Sequence, residues 1–289
     1  MGWSAFLRRE LSVRNRQLAH ANALTHELTP GENSVIFGRH SEGHHGNFHP
    51  RSYRNICANP QWARRLRKVH TASRKPSFAT GWRWMELDCA NSSDALLMNI
   101  FCYCRTLRNP TVVSLLGTER GATPEFGFRP AIPLRGGKTD RTEIDMRVAD
   151  LLVEAKLTET GFQNAPARMI ERYRDFDEVF DHDALVEPGH EVSCYQLIRG
   201  ALAAYETGGS FCLLCDDRRP DLIEDWYSVM RAVRSCALRC RLKLLTWQEL
   251  AVALPKGLQQ FLALKYGIND DWTQSSQSPN VACGGGILP

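Results

Sequence analysis

The stretch TEIDMRVADLLVEAK, Thr142 to Lys156, constrains the chain more than any other. It reads as two strands joined by a two-residue turn at Ala149-Asp150. Side chains alternate between the faces of a strand. Ile144, Met146 and Val148 therefore share one face, and Glu143, Asp145 and Arg147 share the other. In the second strand Leu151, Val153 and Ala155 lie opposite Leu152, Glu154 and Lys156. With this turn Asp145 faces Glu154, and Glu143 faces Lys156. Directly opposed carboxylates about 5 Å apart repel by about 3 kcal/mol at an effective dielectric near 20. A purely structural hairpin should avoid that pairing.

A divalent cation between the two carboxylates reverses the sign. Mg²⁺ takes oxygen ligands from one or two carboxylates and keeps waters for chemistry. Lys156, on the same face, could orient or deprotonate a water, or stabilise charge on a phosphate. The plainer reading is a Glu154–Lys156 surface pair on an edge strand, worth about 0–1 kcal/mol. The flanking Leu151-Leu152-Val153 argues instead for a central strand.

The surrounding pattern is α/β with a mixed sheet. NSSDALLMNIFCYC reads as a buried helix with Ser92 or Ser93 at its N-cap and Asp94 in the first turn. PEFGFRP is an early strand, and TVVSLLG suits either a helix or a strand. APARMIERYRDFDEVF and EVSCYQLIRGALAAYE carry helical periodicity. GGSFCLLCDD is a buried strand, PDLIEDWYSVMRAVRSCAL a helix opened by Pro220, and RLKLLTW a further strand. QELAVALPKGLQQFLALKYG gives one or two helices. Residues 1–46 read as a poorly ordered N-terminal arm, 47–268 as a single domain, and 269–289 as a disordered polar tail.

Residues 1–83 hold fourteen Lys and Arg against four acidic residues, a balance of +10; the remainder holds 22 basic against 28 acidic. A basic N-terminal third suits a polyanion, nucleic acid above all. Arg64, Arg65, Arg67 and Lys68, on or after a helix opened by Pro60, are candidates for phosphate contacts or for a solvated basic face. HTASRKP could grip DNA as a loop. No apolar run approaches the ~20 residues that span a bilayer. No signal-peptide pattern opens the sequence, so a cytoplasmic location is expected. The ten cysteines are scattered, which favours reduced thiols. RHSEGHHGNFH holds His40, His44, His45 and His49, but their spacing fits no closed zinc pattern and reads as a flexible loop. Cys212 and Cys215 point to opposite faces of a strand, which also disfavours zinc.

An Asp, a short spacer and Glu-X-Lys on a strand, here Asp145, Glu154 and Lys156, resembles the PD-(D/E)XK nuclease superfamily. SSDALLMNIF, TEIDMRV, LLVEAK, YQLIRG, LTWQELA and LQQFLALKYGI are similar more narrowly to a group of bacterial restriction-endonuclease-like proteins, over roughly residues 50–268. The resemblance implies a restriction-endonuclease-like core of helix, three strands, helix and strand. It implies metal held by Asp145 and Glu154, and catalysis by these two with Lys156. A Gln or Tyr from the second helix often supports such sites; Gln196 matches by position, with Tyr195 beside it. Ile144 stands where many relatives have Pro. An extra carboxylate ligand has Glu125 or Glu86 as candidates, with Asn99 a polar residue on the first helix. The expected activity is a Mg²⁺- or Mn²⁺-dependent DNA endonuclease, and a homodimer would suit duplex cutting. The alternatives are an inactive nucleic-acid-binding protein of the same fold, or a metabolic α/β protein with incidental hairpin charges.

Overall fold

The computed structural model describes residues 2–29, 33–38, 43–69, 84–187 and 189–268. Five strands build its central sheet: β1 Glu125–Phe128, β2 Ile144–Val148, β3 Leu151–Ala155, β4 Ser210–Cys215 and β5 Leu242–Thr246. Their order is β5-β4-β3-β2-β1. The β1–β2 and β2–β3 pairs are antiparallel, while β3–β4 and β4–β5 are parallel. Met146 pairs with Val153, Arg147 with Leu152 and Val148 with Leu151. This is the register a two-residue turn requires. Ala149 makes the turn in a left-handed conformation, φ +53°.

β3 and β4 have a strand on each side, and every residue in them is buried. That is why both read as strongly apolar runs. Seven helices matter below: α1 Trp3–Ala21, α2 Pro50–Ala58, α3 Pro60–Arg65, α4 Ser93–Phe101, α5 Tyr195–Thr207, α6 Pro220–Ala232 and α7 Lys256–Tyr266. Met146, Val148, Leu151, Val153, Cys212 and Leu214 form one sheet face and pack with α4 and α7 through Leu96, Leu97, Ile100, Leu258 and Leu262. Leu152, Phe211, Leu213 and Cys215 form the other and pack with α5 and α6 through Leu197, Ile198, Ala201, Leu222 and Trp226. Gly200 permits the α5 contact, because a Cβ there would collide with the Phe211 ring. The order α4, β1, β2, β3, α5, β4 is the helix, three strands, helix, strand core expected from the sequence.

Local chemistry fixes the helix starts. The Ser92 hydroxyl accepts from the Ala95 amide at 3.2 Å, capping α4. TVVSLLG is helical, Pro110–Leu116, opened by the Asn109 side chain and closed by Gly117 at φ +61°. APARMIERYRDFDEVF is not one helix. It breaks into Arg168–Glu171 and Phe176–Val179. α6 stops at Ala232, and Cys236–Arg239 forms a separate short turn of helix.

The expectation of a poorly ordered arm over residues 1–46 is corrected. α1 has 19 residues, and its Leu7 and Leu11 join the core with Leu258, Leu262 and Tyr266 of α7. Lys265 Nζ donates to Asn15 Oδ1 at 2.7 Å, and Asn15 Nδ2 returns a bond to the Lys265 carbonyl at 3.0 Å. Burial holds the Lys265 pKa well below the usual lysine value. His26–Leu28 and Val35–Phe37 then pair as a short antiparallel ribbon. The His-rich segment is also anchored. His45 is buried with its Nε2 3.0 Å from Asp88 Oδ1, and the His49 ring accepts from the Arg51 amide at 3.2 Å to cap α2. His40, HTASRKP and residues 269–289 lie outside the described residues. All nine cysteines among the described residues are free thiols. Among the described residues no helix is long and apolar enough to cross a membrane.

Candidate active site

The candidate site lies where β3 ends and β2 begins. Glu154 is 3% exposed and Lys156 6% exposed. A surface pair on an edge strand is therefore excluded, since β3 is central and the pair is buried. Lys156 Nζ donates to Glu154 Oε1 at 2.9 Å and to Gln196 Oε1 at 3.0 Å. Asp145, half-buried, accepts from the Ala155 amide through Oδ2 at 2.8 Å. The hairpin and the first turn of α5 thus bring Asp145, Glu154, Lys156 and Gln196 together. Two backbone bonds, from the Tyr195 amide to the Gln163 carbonyl and from the Gln196 amide to the Phe162 carbonyl, dock that turn.

The electrostatics follow from burial and crowding. Burial, then the charges of Glu154 and Asp94, push the Asp145 carboxyl well above the usual carboxylate range. Burial works against the Lys156 ammonium, but Glu154, Glu159 and Asp145 outweigh it and raise its pKa.

Asp94 is the residue that sequence reasoning missed. It is buried in the first turn of α4 and was legible there only as a charge complementing the helix dipole. Lys68 Nζ lies 2.5 Å and Arg65 Nη2 2.8 Å from its Oδ2. Burial raises its pKa, but Lys68 and Arg65 overcome this and lower it. The same cations continue outward: Arg65 Nη1 meets Glu143 Oε1 at 2.7 Å, and Lys68 meets Glu86 Oε1 at 3.0 Å. The expected contact between Glu143 and Lys156 is therefore not made, because each has a nearer partner. Arg65 and Lys68 are tied to carboxylates, whereas Arg64 and Arg67 are exposed.

The other candidate ligands separate cleanly. Glu86 belongs to the outer ring through Lys68. Glu125 is exposed and paired with its cross-strand neighbour Arg147 at 2.7 Å. Asn99 is structural: its Nδ2 donates to the Asn47 and Ala95 carbonyls, and its Oδ1 accepts from the His49 amide. Among the described residues no three His, Cys, Asp or Glu side chains form a metal-holding group. Asp145 and Glu154 remain a two-carboxylate, oxygen-only donor set. Such a set fits a hard cation that retains waters, and the charge crowding on Asp145 is what a bound cation would relieve.

Residues 14–267 match the family described as Restriction Endonuclease associating with ARP. The chain belongs to that family. No curated protein and no solved structure matches it. The mixed five-stranded sheet flanked by helices is compatible with a restriction-endonuclease-like core.

Proposed function

We propose that the chain is a divalent-cation-dependent endonuclease that hydrolyses DNA phosphodiester bonds. The observation that carries this reading is the buried Lys156 ammonium held between Glu154 and Gln196, with Asp145 on the neighbouring strand. Asp145 and Glu154 would hold Mg²⁺ or Mn²⁺, which supplies Lewis acidity toward phosphate and a more acidic water. Lys156 stabilises the negative charge that develops on phosphate oxygens in the transition state. Gln196 positions Lys156 by accepting from its Nζ. Asp94 and its two cations form the inner wall beside Asp145. Arg64 and Arg67 contact the phosphate backbone, so binding weakens as salt rises. Cutting both strands of a duplex with one site per chain calls for a homodimer.

A second reading has one observation in its favour. Glu154, Asp94, Glu143 and Glu86 each already have a cation against them, which suits nucleic-acid binding without cleavage. Incubating supercoiled plasmid with the protein in Mg²⁺, Mn²⁺ or EDTA separates the two. Nicking or linearisation that EDTA abolishes supports the endonuclease. A mobility shift with intact plasmid under all three conditions supports the binding protein.

A further inference from the structure

Helix α5 starts without a side-chain cap. Cys194 stands at its N-cap in a left-handed conformation, φ +61°, and its side chain makes no cap bond to the first turn. A helix start of this kind needs holding from outside.

Two buried side chains one turn apart, Tyr195 and Arg199, reach from α5 to the segment that leads into β2. Tyr195 Oη lies 2.8 Å from Tyr173 Oη, and Tyr173 donates to Asp140 Oδ2 at 2.5 Å. Asp140 Oδ1 accepts from the Thr142 amide at 2.8 Å and from the Thr142 hydroxyl at 2.5 Å. Arg199 Nη2 donates to the Glu143 carbonyl at 3.0 Å. Asp145 follows two residues later on β2. At the other end, Gln196 is the residue after Tyr195, and its Oε1 accepts from Lys156 Nζ.

The chain of hydroxyls has one direction. Burial works against the Asp140 carboxylate, but the Thr142 and Tyr173 bonds outweigh it and lower its pKa. Burial, then the bonds to Asp140 and Tyr195, push the Tyr173 hydroxyl up. Tyr173 has a single proton and gives it to Asp140, so the Tyr195 hydroxyl donates to Tyr173. Phenylalanine rings alone would fill this space. Buried hydroxyls and a buried carboxylate cost free energy unless paired. Their pairing adds geometry, because directional bonds fix where the first turn of α5 stands against β2.

We propose that Tyr173 is a positioning residue: the Tyr195–Tyr173–Asp140 chain, with Arg199, sets Asp145 on β2 against the Gln196–Lys156 pair. The groups that the Tyr173 hydroxyl bonds in this chain, Asp140 and Tyr195, are not among the four site residues, so it acts through Gln196. The inference rests on the nuclease reading and deepens it. An ammonium stabilises developing charge on phosphate best when it is held in place beforehand.

The test is a double-mutant cycle on supercoiled-plasmid cleavage in Mg²⁺ or Mn²⁺. Tyr173→Phe, Gln196→Ala and the double variant are compared with wild type, each shown folded by circular dichroism. Tyr173→Phe keeps the ring and removes both bonds. It should lower kcat about tenfold and leave KM within about twofold. In the Gln196→Ala background the same change should lower kcat by less than about twofold. Tyr195→Phe breaks the chain at its other link and should reproduce both results; it replaces Tyr173→Phe if that variant does not fold. Unchanged kcat in the phenylalanine variant, or an equal loss with and without Gln196, overturns the inference and leaves the nuclease reading standing. If the wild type cuts no plasmid, the nuclease reading fails and amide hydrogen exchange decides the positioning. Tyr173→Phe should then speed exchange of the Gln196 amide about tenfold while the β4 amides keep their protection. Unchanged exchange at Gln196 overturns the inference.

Discussion

Lys156 Nζ lies 2.9 Å from Glu154 Oε1, and both side chains project from the same face of one central strand with almost no solvent contact. Two charges are buried there together, and neither is tolerable alone. Lys156→Ala should therefore lower the unfolding free energy by about 3 kcal/mol, measured by urea denaturation, because it leaves a buried uncompensated carboxylate. A loss below about 1 kcal/mol would place the pair in the solvated class.

Asp145 and Asp94 give opposite pH signatures. The raised Asp145 pKa means the folded state holds a proton that the unfolded chain releases above about 3.9. Its contribution is fully present below that value and is lost as pH rises through the folded pKa. The depressed Asp94 pKa works the other way: its contribution is present above the unfolded value and lost as pH falls through the folded one. Asp145→Asn should consequently raise the Tm at neutral pH, with the gain vanishing as pH approaches about 4. Mg²⁺ should raise the Tm of the wild type and leave that of Asp145→Asn unchanged. Differential scanning calorimetry across pH, with and without Mg²⁺, reads both effects.

Much of this arrangement was legible in the sequence, for identifiable reasons. The period-two alternation in TEIDMRV and LLVEA, with a two-residue turn, fixed the register that the Met146–Val153 and Val148–Leu151 pairs display. Gln196 was expected only through the family resemblance, which implies a Gln or Tyr from the second helix beside the site, and its Oε1 accepts from Lys156. Asp94 was not legible as a site residue, because an acid in a first turn is the ordinary complement to a helix dipole. Its partners Arg65 and Lys68 are 29 and 26 residues away. α1 was missed because polar Ser12 and Asn15 interrupt its buried stripe. Asn15 is a sound core residue only once Lys265 stands opposite, 250 residues later.

The α1–α7 contact makes its own prediction. Asn15→Ala removes the oxygen that satisfies the buried Lys265 amine. The unpaired group should cost about 1–3 kcal/mol, read as a lower urea midpoint. No change would mean α1 is dispensable to the fold, as a loosely ordered arm would be.

Ala149 is strained in its left-handed turn. Ala149→Gly should relieve a penalty of about 1 kcal/mol, less the extra chain entropy of glycine. A small rise in Tm is expected, and a fall would contradict the turn geometry that sets the Asp145–Glu154 relationship.

Whether this hairpin is a hydrolytic centre is tested by the rate of supercoiled-plasmid cleavage in Mg²⁺ or Mn²⁺. Wild type, Asp145→Ala and Lys156→Ala would be compared at a temperature where circular dichroism shows all three folded. Cleavage by the wild type that is lost in both variants and in EDTA is the predicted result. Cleavage that persists undiminished in either folded variant would contradict the assignment of Asp145, Glu154 and Lys156 as the active site.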